Sequence, residues 1–110
     1  MTKNKPTQLT MDMILKMKPE VFRDTVKAQS LGFNKSLQNL LKAQFEQCVL
    51  VKDSISTILE KGDVPEEDKV EHSKALRDLY ICMQLIEDRY TILSLVIKKV
   101  EDRGLSVVRH

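Results

Sequence analysis

Lys61-Gly62-Asp63-Val64-Pro65 is the stretch on which the fold turns, because two heptad stripes mirror each other around it. Before it run Leu37, Leu41, Gln44, Cys48, Val51 and Ile55; after it run His72, Leu76, Leu79, Met83, Ile86 and Tyr90. Paired outward from the turn, 55 with 72 through to 37 with 90, every pair has its midpoint between Asp63 and Val64. Each stripe advances by alternating steps of four and three residues, so it keeps to one face of an α-helix while the other runs back past it. That is the pattern of an antiparallel helical hairpin.

The flanks supply the helix ends. Asn34 is a suitable N-cap for a helix over 35 to 61 that stops at Gly62, and Pro65 opens the next, with Glu66, Glu67 and Asp68 crowded into its positive first turn. This second arm is expected to run over 66 to 102, ahead of Gly104, about 55 Å at 1.5 Å per residue. It outruns its partner, so its residues Leu93, Ile97 and Val100 need another cover. Upstream, Thr10 can cap a short helix over 10 to 17 with Met11, Ile14 and Leu15 on one side. Pro19 and Glu20 open a second over 19 to 31, which Gly32 would end. Its Phe22 and Val26 are the candidates to cover the overhang. The expected architecture is all-α: a long antiparallel hairpin preceded by two shorter helices, in one domain over 10 to 104. A flexible arm over 1 to 9 precedes it and a tail over 105 to 110 follows, and oligomerisation would complete a helical bundle.

Composition narrows the class. The 110 residues are 42% apolar, 5% aromatic and 31% charged, with no Trp, as expected of soluble helices packed through Leu, Ile and Val. No apolar run of about 7–15 residues follows the N-terminus and none approaches about 18, so neither a secretory signal nor a membrane span is expected. A cytoplasmic protein with no membrane partner follows. Cys48 faces Leu79 and Cys82 lies nearly a turn away, so both are expected as free core thiols.

The longer arm carries a second stripe: Ile81, Leu85, Asp88, Ile92 and Leu95, two residues later than the seam positions. Two residues are about 200° of rotation, which puts it nearly opposite the seam. An apolar band of that kind is seldom left in water, so a second copy of the chain is expected to cover it, with the N-terminal helices or a foreign protein as competing covers. Asp88, beside Arg89, interrupts the stripe and is placed to form an ion pair. Charge is also uneven. Residues 1 to 42 hold eight basic and three acidic side chains, 43 to 88 five and eleven, and 89 to 110 five and two. The hairpin brings the two basic segments together at its open end, leaving the turn end acidic.

Val26 to Leu37 resembles a helix-turn-helix, with Ala28 four residues before Gly32, Leu31 and Phe33 beside the glycine, and a polar start to the next helix. The resemblance implies a DNA reader in which Lys27, Asn34, Lys35, Gln38 and Asn39 reach base edges or phosphates. It departs at Gln38, where the motif has an apolar residue.

Catalysis finds little support. His72 stands at the seam boundary without the small neighbour a phosphotransfer histidine needs, and Lys69 occupies the place of the glutamate in a di-iron Glu-x-x-His motif. Two Cys and two His without close spacing make no zinc site, and no Gly-rich phosphate loop occurs, so no cofactor or metal is implied. Gln44 breaks the seam as a register-setting residue would. The sequence therefore reads as a non-enzymatic macromolecule-binding protein, an adaptor, chaperone-like or inhibitory factor, acting as a homo-oligomer and on another protein. A small DNA-binding regulatory or packaging protein is the alternative.

Overall fold

The computed structural model describes residues 10–108 and consists of α1 (Met11–Lys16), α2 (Pro19–Lys27), α3 (Leu31–Glu60) and α4 (Glu66–Val108). The arm expected over 1 to 9 and the last two residues of the tail lie outside the described residues. α3 and α4 form the antiparallel hairpin, and α1 and α2 pack on α4. At about 1.5 Å per residue the 43 residues of α4 span about 65 Å, close to the molecule's longest dimension of 66 Å.

Local chemistry accounts for most ends. The Thr10 hydroxyl accepts from the Met13 amide at 3.2 Å, and Pro19 opens α2. α3 closes at Lys61, and Gly62 takes the left-handed φ of 77° that turns the chain, a conformation strained for residues with a Cβ. Three acidic residues occupy the first turn of α4.

Three expected boundaries are corrected. α2 ends at Lys27 rather than 31, and α3 begins at Leu31 rather than 35, with Ser30 as N-cap accepting from the Phe33 amide at 3.1 Å. Gly32 is an ordinary residue in the first turn of α3, not a helix stop. Asn34 caps nothing: its amide is buried and donates to the Val26 carbonyl at 2.8 Å, tying α2 to α3. The earlier start satisfies a helix end with Ser30 and frees Asn34 for this contact. The end expected near 102 is the third correction, since α4 stays helical through Gly104 to Val108. A helical glycine costs about 1 kcal/mol, too little to break a long helix by itself.

The core sits at the open end. Ile14, Phe22, Val26, Leu37, Leu41, Cys48, Ile86, Leu93, Val96 and Ile97 form one buried cluster, with Leu79, Met83 and Tyr90 partly buried against it. Phe22 and Val26 join Leu93 and Ile97 as the overhang required, while Val100 remains partly exposed. Burying an aliphatic or aromatic side chain of this size is worth roughly 1.5–3 kcal/mol. Toward the turn no third helix among the described residues supports the hairpin. Ile55, His72 and Leu76 are half-buried, and Val51, expected in the seam, is 41% exposed. The molecule is a four-helix core from which a two-helix arm projects.

Arg89 fastens that core. It is 3% exposed, its Nε donates to the Ile14 carbonyl at 3.3 Å, Nη2 donates to the Met17 carbonyl, and its guanidinium lies 5.9 Å from the Phe22 ring centroid. The two carbonyls belong to the C-terminal end of α1, where the helix dipole is negative and a cation is favoured. Nη1 donates to the Asp88 carboxylate, which balances the charge. The ion pair expected of Asp88 and Arg89 thus forms within one chain.

Candidate docking surface

The outer face of α4 is only partly covered. Ile81 and Leu95 are 56% and 57% exposed, Asp88 is about half exposed, and Leu85 and Ile92 are half-buried, Ile92 packing against the core cluster. Helix geometry explains the gradient: Arg89 and Val96 lie about 40° round the helix from Leu85 and Ile92, and both are buried. The N-terminal helices therefore shelter one edge of the stripe and leave its centre open, an intermediate between the covers the sequence offered.

A second open stripe escaped the sequence reading. Phe33, Leu40, Val51 and Ile58 are all at least two-fifths exposed and fall within about 20° of one another on α3. Their steps of seven, eleven and seven residues skip the polar Gln44 and Gln47, so no unbroken heptad announces them. Phe45 was also missed. It packs partly buried beside the core, and with Leu41, Lys42, Ile86, Glu87 and Tyr90 it lines an open hollow of about 230 Å³ between α3 and α4.

The proposed nucleic-acid residues do not form one surface. Lys27 and Asn39 are exposed, but Asn34 is buried on α2. Lys35 bridges to Glu101 at 2.9 Å, and the Gln38 amide donates to the Ser94 hydroxyl at 2.9 Å. Lys35 and Gln38 thus tie α3 to α4, and the glycine of the resembling motif lies inside a helix.

Cys48 and Cys82 are both free thiols, yet they are neighbours across the seam rather than a turn apart. Burial pushes the Cys48 thiol up from its ordinary 9.0, and the adjacent Cys82 adds to the effect. His72 is half-buried, as expected of a boundary residue. Among the described residues no three His, Cys, Asp or Glu side chains come together as a metal site, and no helix is long and apolar enough to cross a membrane.

No family model, curated protein or solved structure matches the chain.

Proposed function

We propose that the chain is a small non-enzymatic docking protein of the cytoplasm, an adaptor, chaperone-like or inhibitory factor, which binds other macromolecules through its helical faces and works as a homo-oligomer. The observation that carries this reading is the pair of open apolar stripes, Ile81 and Leu95 on α4 and Phe33, Leu40, Val51 and Ile58 on α3. In each stripe the exposed apolar side chains recur on one helix face, unlike the singly scattered apolar residues that are ordinary on a monomer's surface. The free thiols suit a reducing compartment. The nucleic-acid alternative gains no support, because three of its five residues are engaged within the chain.

Affinity capture from extracts of the native host tests the proposal, comparing wild type with Ile81→Glu/Leu95→Glu. Protein held by the wild type, further copies of the chain included, and lost from the variant is the expected result. A wild type that retains no protein at micromolar concentration overturns it. Retention on DNA that falls steeply with salt would favour the alternative.

A further inference from the structure

The outer face of α4 has a symmetry that follows from neither stripe alone. Counting from Asp88, Ile81 lies seven residues before and Leu95 seven after; Leu85 lies three before and Ile92 four after. Two pairs of the charges that continue the face reverse across the same centre. Asp78 stands ten residues before Asp88 and Lys99 eleven after; Lys74 stands fourteen before and Asp102 fourteen after. All four charged residues are exposed.

We propose that this face binds a second copy of the chain in antiparallel orientation, with the two-fold axis passing beside Asp88. The inference rests on the reading of α4 as a docking surface and names its occupant. In this arrangement Ile81 meets Leu95 of the second copy and Leu85 meets Ile92, while Asp78 meets Lys99 and Lys74 meets Asp102; exposed Arg77, eleven residues before Asp88 and mirrored by Lys99 eleven after, is the one like charge brought to this face. The symmetry makes each pair twice. A parallel pairing of the same face would set Asp78 against Asp78, Lys74 against Lys74 and Lys99 against Lys99, all repulsive. The charge pattern therefore chooses between the two orientations. Asp88 would oppose itself at the axis, but its carboxylate is already bound by Arg89 of its own chain, so two neutralised pairs meet there rather than two bare anions. The same operation lays the acidic half of each molecule, with eleven acidic and five basic residues over 43 to 88, alongside the basic open end of the other. Complementarity thus holds for these two charge pairs and for the whole molecule, and Arg77 against Lys99 is the exception.

Sedimentation of the full-length wild type at micromolar concentration should give twice the 12.7 kDa chain mass. Orientation is then read by disulfide trapping in a Cys48→Ala/Cys82→Ala background, mixing Ile81→Cys with Leu95→Cys under a mild thiol oxidant such as oxidised glutathione. Each bond formed reduces one equivalent of the oxidant to two thiols. The mixed disulfide should exceed either self-pair several-fold, whereas predominance of the self-pairs would overturn the antiparallel arrangement. Should the alanine background fail to fold by circular dichroism, charge exchange in the native background decides. Asp78→Lys should weaken the dimer at least ten-fold, and Asp78→Lys/Lys99→Asp should restore it; no rescue overturns the pairing. A monomeric wild type overturns the self-pairing outright. If that monomer still captures a foreign protein through Ile81 and Leu95, the docking reading survives, and if it captures nothing, both fall.

Discussion

Arg89 is the residue on which the placement of the N-terminal helices depends. Its guanidinium supplies the Met17 carbonyl and adds a second bond to the Ile14 carbonyl, which also accepts from the Met17 amide at 3.3 Å, and a buried carbonyl left without a partner costs roughly 1–3 kcal/mol. Arg89→Met keeps much of the side-chain volume and removes every donor. It should lower stability by about 1–3 kcal/mol, read as a lower urea midpoint, with α1 the first element to lose hydrogen-exchange protection. A midpoint unchanged from wild type would show that α1 is held by Ile14 packing alone. Cys48 yields a pH prediction. Its folded thiol titrates above its ordinary 9.0, mainly through burial and secondarily through Cys82, so the unfolded chain releases this proton first. The contribution is therefore complete below the unfolded value and falls as pH rises above about 9. Cys48→Ala should flatten that part of the alkaline stability profile relative to wild type. Equal slopes in the two proteins would refute the assignment.

At the scale of elements, the two glycines separate what was legible in the sequence from what was not. Gly62 needs its positive φ, so Gly62→Ala should cost about 1–2 kcal/mol. Gly32 lies in a helical first turn with nothing within 4 Å of where a Cβ would stand, so Gly32→Ala should be stabilising by up to about 1 kcal/mol. Thermal melts of the two variants should move in opposite directions; destabilisation by both would restore Gly32 as a helix stop. Before the structure, both positions carried the same signal, a glycine between two helical patterns. They differ because Pro65 and three acidic residues fix a new helix start after Gly62, whereas Ser30 had already capped α3 before Gly32. The hairpin was readable because its signal repeats over twelve positions. The N-terminal packing was not, since Arg89 reads as a surface cation in any periodic count and its partners are backbone carbonyls that leave no mark in the sequence. The outer stripe lay between these cases: its spacing was visible, but the sheltering of Leu85 and Ile92 was not. Ile81 and Leu95 are consequently the better pair for testing association without disturbing the core.

Across the whole molecule, stability should be graded along the long axis. The open end contains the buried cluster, while the arm beyond Val51 and Leu76 has two helices and no fully buried side chain among its described residues. Two helices without a third partner bury too little to hold firmly alone. Amide exchange should thus be fastest, outside the termini, on either side of Gly62 and slowest around Leu41, Ile86 and Leu93. Uniform protection in the isolated monomer would contradict the gradient. If pairing is antiparallel, the loose arm of each copy is what the second copy steadies, so protection there should rise with protein concentration.

The Arg89 clasp also sets an order of events during synthesis. The Ile14 carbonyl and the Arg89 guanidinium are 75 residues apart in the chain. At about 5–20 residues per second, a ribosome needs roughly 4–15 s to make that interval. For most of it α1 and α2 have been made without the part of α4 they pack on, and their apolar faces lack that partner. For this chain, the first helices made are among the last to find their place.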